Sequence, residues 1–562
     1  MNPTLTNPPV IVLFGFMGTG KTTLGRDLAV RLGVRCIDCD AEIERADGRS
    51  IAEIFDSENE ETFRKLEREF IEQIDVSGGA VIATGGGMVA DVFCRERLCA
   101  IGLPVLLDAN PKILTQRIGN DPDRPMLATP GTRREQIGAL YEKRREATDN
   151  IAIRLDTGYR SIDESVHDLE RIARTDGRSI PLRVSTRSFP GCPPSPAGER
   201  LCAIRVGRGA CKAAGARLAE LNLKSRAVVL CPPSLTGIVD RCVSPSLHRQ
   251  GIEWTQVALA DGDENKTLDQ VSVLIERLSD IGVARDTPVI TVGGGVTGDV
   301  GGFVAATYMR GVPWVNVPTS LLAQIDAGIG GKVGVNARRA KNLVGAFYHP
   351  LGVICDPDLL TTLPRVELAN GYAEAIKTAM VGDAAFFARL LRAAQRGVSP
   401  TDPELLDDVV VSCVRVKARI VEADPTERDL RRVLNLGHTL GHALEFAGGY
   451  GNIRHGEAVA IGLLAALRVA HRRAQIDASY ISNVRNMISW AGLPATIPDG
   501  ISAEAVARAI SLDKKHREGH LTFVLPIAPG QVRIVNDVTP GELVDMLSTR
   551  PAADARRKKG RS

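Results

Sequence analysis

A short apolar run at residues 11–14 passes directly into Gly15-Phe-Met-Gly18-Thr19-Gly20-Lys21-Thr22, and a helix-forming stretch follows. The G-x-x-x-x-G-K-[ST] spacing between a strand and a helix leaves little choice of fold. Glycines let backbone N–H groups curl around phosphate oxygens, and the helix N-terminus adds the positive end of its dipole. Lys21 is placed to reach the β- and γ-phosphates, and Thr22 to offer a hydroxyl to Mg2+. ATP with Mg2+ is the expected ligand of Gly15, Gly18, Thr19, Gly20, Lys21, Thr22 and Thr23.

This loop accounts for only part of 562 residues. At about 100–200 residues per domain, three or four units are expected. β-branched runs at residues 10–14, 81–84, 105–108, 227–231 and 289–292 alternate with amphipathic stretches, which predicts α/β domains with parallel sheets. Five prolines between residues 181 and 196, with no helical period, read as an extended linker. After about residue 370 strand patterns nearly vanish until residues 521–525. The expected fold class is therefore α/β: a P-loop kinase-like parallel-sheet domain at 1–170 and a linker at 171–199. A second α/β domain at 200–370 and a mostly α-helical domain at 371–550 follow, then a basic tail at 551–562; the motifs of the two, and the resemblance they carry, imply NAD binding for the one and metal binding for the other.

Composition narrows the function classes. With 70 basic and 67 acidic residues the net charge is +3, so bulk charge gives no case for nucleic-acid or membrane partners. The longest apolar run, 458–467, stops at Arg468, well short of the roughly 20 residues a membrane span needs. The N-terminus lacks the basic start of a secretory signal, and the eleven cysteines are odd in number and scattered. Reduced thiols and a cytoplasmic location are expected. Cys36 and Cys39 form a lone C-x-x-C on strand-like sequence, not at a helix start, and read as ordinary thiols.

The acceptor of the first unit follows from residues spread over its length. Asp38-Cys-Asp40 ends a second strand, Phe63-Arg64 sits in an acidic helix, and Gly85-Gly86-Gly87 follows the strand at 81–84. Asp123-Arg124-Pro125 interrupts a loop, and Lys143-Arg144 lies on a helix. Singly, each has a bland explanation as a cap, an ion pair, a turn or a solvated charge. Together, in this order, they resemble shikimate kinase over about residues 9–170. The resemblance implies that Arg64 and Arg144 grip a carboxylate, that Asp40 bonds the ring hydroxyls and orients the attacking one, and that Asp38 lies near Mg2+. It further implies close backbone approach at Gly86 and a lid arginine, Arg124, over the ATP phosphates.

In the second half the strand at 289–292 enters Gly293-Gly294-Gly295-Val-Thr-Gly-Asp299, a turn that lets backbone approach a pyrophosphate. Upstream, Asp261-Gly-Asp263-Glu264-Asn265-Lys266 offers carboxylates for ribose hydroxyls. Downstream, the stretch from Asp326 to Lys332 and the pair Lys341-Asn342 set cations beside glycines, which suits a phosphorylated substrate. The segment from Arg431 to His442 reads as one helix, with His438 and His442 at i and i+4 on one face and His455 following in Arg454-His455-Gly-Glu457. Two histidines and a carboxylate would make an open three-ligand site suited to catalytic Zn2+. A hydrogen-bonded core pair of histidines is the alternative, and Thr439 excludes the H-E-x-x-H protease motif.

This set resembles 3-dehydroquinate synthase over about residues 200–545. The resemblance implies Glu374, His438 and His455 as ligands of Zn2+ (or Co2+), with His442 a substrate contact. It implies a substrate pocket of Arg310, Asp326, Lys332, Asn342, Lys377, Lys417, Arg431, Asn435, His442 and Lys515, within which Lys332, Lys377, Arg431 and His442 are catalytic. Arg310 would enter from a partner subunit, implying a homodimer through this half. NAD+ would meet Asp261, Asp263, Lys266, Gly294, Gly295, Asp299, Thr319, Ser320, Lys332, Lys341 and Thr362. The implied reaction converts 3-deoxy-D-arabino-heptulosonate 7-phosphate to 3-dehydroquinate and phosphate, with NAD+ reduced and regenerated within one turnover. With the kinase half, the expectation is a bifunctional enzyme of the shikimate route to aromatic amino acids. The rival is a kinase fused to a metal- and NAD-dependent polyol dehydrogenase, which has no use for a phosphate-holding cluster of Lys332, Asn342, Lys377 and Arg431.

Overall fold

The computed structural model describes residues 9–118, 137–141, 153–158, 161–174, 179–185, 199–221, 223, 226–337, 340–449, 452–498, 500–516, 522–539, 541–543 and 546. The chain divides into two compact units, Met1–Ile180 and Pro181–Ser562. Among the described residues no helix is long and apolar enough to cross a membrane.

In the first unit, β1 (Val10–Gly15), β2 (Arg35–Asp38), β3 (Ala80–Ala83), β4 (Leu103–Asp108) and β5 (Ile153–Asp156) form a parallel sheet in the order β2-β3-β1-β4-β5. Both faces are buried. Ile11 and Leu13 pack with Leu24 and Leu28 of the helix Lys21–Leu32 and with Leu169 and Ile172 of the helix Ile162–Arg174. Val12 and Phe14 pack on the opposite face with Ile71, Cys94 and Leu98. Two covered faces explain why β1 is continuously apolar and not alternating. Because β1 is central and the chain leaves it to opposite sides, its carboxyl end opens a crevice for a ligand.

The second unit is built on a seven-stranded sheet. Its strands are β6 (Ser179–Ser185), β7 (Glu199–Val206), β8 (Arg226–Cys231), β9 (Glu253–Ala258), β10 (Val289–Gly293), β11 (Trp314–Pro318) and β14 (Gly352–Cys355). The order is β6-β7-β14-β11-β10-β8-β9, and the pairings from β7 to β9 are parallel. Residues 179–185, within the stretch read as linker, thus form a sheet strand. A separate antiparallel hairpin, β12 (Lys332–Ala337) with β13 (Ala340–Phe347), carries three of the expected site residues: Lys332, Lys341 and Asn342.

Glycine on the helix Gly295–Thr307 is a packing device. A Cβ at Gly301 would strike the Thr291 side chain of β10, and one at Gly302 would strike Val333 and Trp314. The helix therefore lies close against β10 and holds its first turn at that strand's carboxyl end.

Beyond residue 365 the chain is helical until the short hairpin β15 (Phe523–Ala528) with β16 (Gln531–Val535). The helices Arg365–Gly382 and His455–Arg472 are buried on nearly all sides, which their Ala- and Gly-rich sequences permit. The segment expected as one helix from Arg431 to His442 is two elements. A 3-10 turn, Leu430–Asn435, ends before Gly437, which takes φ 79°, and a helix then runs over His438–Ala447. The break has a packing cause. Gly437 lies against the helix His455–Arg472 so tightly that a Cβ on Gly462 would collide with its carbonyl oxygen.

Candidate functional site

The phosphate loop of the first unit closes on itself. Gly18 and Gly20 take φ of 79° and 92°, a region that favours glycine, and Gly20 caps the helix Lys21–Leu32. Lys21 Nζ donates to the carbonyl oxygens of Gly15 at 2.8 Å and Phe16 at 3.1 Å, so the buried ammonium spans the loop it serves. Thr19 Oγ1 donates to the Phe16 carbonyl, and Thr22 Oγ1 donates to Asp38 Oδ2 at 2.7 Å. Thr23 is exposed on the outer side of the first turn. Asp38 also caps the helix Cys39–Asp47, which places Asp40 in that helix's first turn.

Burial pushes the Asp40 carboxyl up against the opposing pull of Lys21. Arg64 Nη1 meets Glu67 Oε2 at 2.5 Å, and Arg64 Nη2 meets Glu60 Oε1 at 2.9 Å. Burial, only partly offset by Arg64, lifts Glu67 to about 7. The turn after β3 brings these groups together. A Cβ on Gly85 would strike Asp40 Oδ1, and one on Gly87 would strike the Arg64 guanidinium. The steric demand for glycine thus falls on Gly85 and Gly87, with half-buried Gly86 between them. Glu67 was missed in the sequence, although it lies one helical turn after Arg64 on the same face. Arg124 and Arg144 lie outside the described residues.

In the second unit the groups gather at the carboxyl ends of β10 and β11. Gly294 caps the helix Gly295–Thr307, and the Thr319 N–H donates to the Gly293 carbonyl, fixing Ser320 beside that cap. Buried Lys266 donates at 2.5 Å both to Asp299 Oδ2 and to Asn342 Oδ1. Lys341 Nζ lies 3.0 Å from Asp263 Oδ2 and 3.5 Å from Glu445 Oε1. Asp261 precedes this cluster and accepts from the Gly262 N–H, and Thr362 is exposed at the end of the 3-10 turn Pro357–Thr362.

The cationic pocket is assembled from the hairpin and the helices. Lys332 pairs with Glu427, which also accepts from Asn435 Nδ2 at 3.1 Å. Lys417 donates to the carboxylate and carbonyl of Asp326. Burial lowers Lys417 to about 8 in spite of Asp326, while Lys417 and then Lys377 hold Asp326 well below the carboxylate range against its burial. Arg431, 2% exposed, donates to the carbonyls of Pro425 and Gly330. Glu427 had no signature in the sequence: it sits in a loop at φ 59° and meets its partners only through the fold. Arg310 stands apart, exposed on the turn Tyr308–Arg310 at φ 64°. Lys515 falls in the helix Ala503–His516, with its side chain outside the description.

The third cluster is a candidate metal centre. Glu374 is wholly buried and paired with Lys377. Its Oε1 lies 3.5 Å from His438 Nε2 and 3.3 Å from His455 Nε2. Ligand atoms at about 2.0–2.1 Å from a tetrahedral Zn2+ stand roughly 3.3 Å apart, so these spacings fit the ion. Neither Glu374 oxygen accepts a hydrogen bond of regular geometry. Burial raises Glu374, yet Lys377 and then His438 outweigh it and hold it at about 2. Burial keeps His438 neutral, at about 3, while Glu374 and Glu445 outweigh burial at His455 and lift it to about 10. Each outer ring nitrogen has an acceptor: the Leu436 carbonyl at 3.2 Å from His438 Nδ1, and Glu445 Oε2 at 3.4 Å from His455 Nδ1. His442, exposed, lies beside the trio on the same helix as His438. Glu445 was missed, although it continues the His438–His442 stripe by one more turn.

Comparison with known proteins agrees with this division. The family description "3-dehydroquinate synthase N-terminal" matches residues 256–370, "3-dehydroquinate synthase C-terminal" matches 371–516, and "Shikimate kinase" matches 17–173. The 3-dehydroquinate synthase of Geobacter metallireducens is 40% identical over 352 residues, which cover 62% of this chain and 96% of the relative. The chain belongs to the 3-dehydroquinate synthase family and carries a shikimate kinase domain ahead of it. The Desulforamulus reducens synthase is 39% identical over 62% of this chain and 98% of its own length. Among solved structures, the 2-epi-5-epi-valiolone synthase of Streptomyces hygroscopicus subsp. jinggangensis, with NAD+ and Zn2+ bound, is 29% identical with a TM-score of 0.55, covering 60% of this chain and 93% of that one. The synthase half therefore contains the Lys332, Lys377 and Lys417 pocket and the Glu374 trio, and the kinase half contains the phosphate loop.

Proposed function

We propose that the two halves act on separate small molecules through the clusters described above. The kinase half transfers the γ-phosphoryl group of ATP to a hydroxyl of shikimate. The synthase half converts 3-deoxy-D-arabino-heptulosonate 7-phosphate to 3-dehydroquinate and phosphate. The observation that carries the synthase reading is the meeting of Glu374, His438 and His455, at zinc-like spacing, with Lys377 and the Lys332, Lys417 and Arg431 cations.

In the kinase half, Lys21 and the loop N–H groups would hold the ATP phosphates, and Thr22 and Asp38 would hold Mg2+. Arg64 grips the substrate carboxylate. Asp40, raised by burial, takes the proton of the attacking hydroxyl. Arg124 and Arg144 complete the lid and the carboxylate grip.

In the synthase half, Glu374, His438 and His455 would hold Zn2+ or Co2+, and Asp263, Lys266, Gly294, Gly295, Asp299, Thr319, Ser320 and Lys341 would hold NAD+. When bound, these supply a Lewis acid beside the substrate hydroxyls and a hydride acceptor that returns its hydride in the same turnover. The chain's own part is positioning. Lys332, Lys417, Arg431 and Asn435 orient the phosphorylated end, Lys377 and His442 face the reacting hydroxyls, and Asp326 keeps Lys417 charged. Exposed Arg310, on a strained turn next to Met309 at 46% exposed, is read as the residue offered across a homodimer interface.

The test incubates the full chain with the heptulosonate phosphate, Zn2+ and catalytic NAD+. Stoichiometric phosphate release without net NADH is expected, and shikimate with ATP should yield ADP in a second assay. Net NADH without phosphate release would move the second half to the dehydrogenase class. Mixing Arg310→Ala with Lys377→Met should restore partial synthase activity if Arg310 crosses between copies.

A further inference from the structure

We infer that Glu445 is a positioning residue for the metal centre: it fixes the ring of His455 and ties it, through Lys341, to the dinucleotide side of the cleft. This rests on the reading of Glu374, His438 and His455 as ligands.

The helix His438–Ala447 presents His438, His442 and Glu445 at i, i+4 and i+7, along one stripe. Glu445 is 7% exposed, and a carboxylate so placed is costly unless partnered. Its two oxygens divide their partners. Oε2 lies 3.4 Å from His455 Nδ1, and Oε1 lies 3.5 Å from Lys341 Nζ, which is 3.0 Å from Asp263. On the other side of the His455 ring, Nε2 faces Glu374 Oε1 at 3.3 Å. An imidazole that binds a metal through Nε2 must carry its proton on Nδ1, and an acceptor there fixes both tautomer and ring angle. Glu445 is placed to be that acceptor. The link through Lys341 means that whatever engages Lys341 and Asp263 changes how much of the Glu445 charge is left for His455.

Glu445 also lies with His442 and His455 in a second trio whose ligand atoms are within 4.8 Å of one another. A second metal ion there would take His455 Nδ1 and is the competing outcome.

Zinc affinity of the full chain, stripped and reloaded, is measured by chelator competition for wild type, H455A, E445Q and E445Q/H455A. Loss of tight binding in H455A tests the ligand reading by itself; if H455A binds like wild type, that reading fails. Given that loss, E445Q should weaken zinc about 10- to 100-fold. It should add less than about 2-fold on the H455A background, since groups acting as one unit are non-additive. Wild-type affinity in E445Q, an equal loss on both backgrounds, or two zinc ions per wild-type chain with one lost in E445Q would each overturn the inference. If E445Q does not fold, nitrogen-15 spectra of histidine-labelled, zinc-loaded wild type decide. A protonated Nδ1 and metal-bound Nε2 on His455 are expected; a metal-bound Nδ1 overturns the assignment.

Discussion

Thr22 Oγ1 donates to Asp38 Oδ2 at 2.7 Å, joining the first turn of the helix after the phosphate loop to the end of β2. A hydroxyl from a helix start and a carboxylate from a strand end make a hard oxygen site, the kind Mg2+ prefers. Asp38→Asn keeps the shape and removes the charge. Kinase kcat should fall about 10²-fold, the scale on which one lost charge-stabilising group acts. Synthase activity of the same preparation should be unchanged, which a paired ADP-release and phosphate-release assay checks.

Glu67 is held at about 7, above the 4.5 of an ordinary glutamate. The folded kinase half therefore binds this proton more tightly than the unfolded chain does. The stability it contributes is full below about pH 4.5 and is lost as pH rises through about 7, on the order of 3 kcal/mol in all. Glu67→Gln removes this dependence. The variant's stability relative to wild type should rise by that order between pH 5 and pH 8, read from urea unfolding of the kinase transition in the full chain.

Lys266 and Asp299 form an enclosed pair at 2.5 Å, with Lys266 6% exposed. Lys266→Met strands the Asp299 carboxyl, which burial already pushes up. The synthase transition should lose about 3–5 kcal/mol. Adding Asp299→Asn should recover a large part of that loss without restoring NAD+ binding. Denaturant midpoints and dinucleotide titration separate the two effects.

A Cβ on Gly462 would meet the Gly437 carbonyl, immediately before His438. Gly462→Ala should force the crossing helices apart at a cost of about 1–3 kcal/mol. It should also weaken zinc more than it lowers the thermal midpoint would suggest, because His438 opens the displaced helix. Alanine at exposed Gly78, which has open space around its Cβ position and no positive φ, is the control for a glycine change elsewhere.

The phosphate loop could be read from sequence because its chemistry is local: strand, glycines, lysine and helix follow within a dozen residues. The i, i+4 pair His438 and His442 was legible for the same reason. The break before His438 was not, since an apolar period continues across Leu436 and Gly437, and only the approach of the helix His455–Arg472 demands the turn. Glu427 was beyond reach because its partner Lys332 lies far away in sequence and no spacing announces the meeting. Glu67 and Glu445 each lie one turn beyond a residue that had been singled out. Following the helical stripe past the recognised motif would have found both.

In the synthase half, Lys266, Lys332, Lys341, Lys377 and Lys417 each stand against a carboxylate of the chain itself: Asp299, Glu427, Glu445, Glu374 and Asp326. The cleft supplies its own counter-ions. Capture of an anionic substrate is therefore an exchange of partners, in which a phosphate or carboxylate takes a lysine that an internal acid gives up. Affinity reports the difference between two ion pairs, and its salt dependence should be shallower than a count of five cations implies.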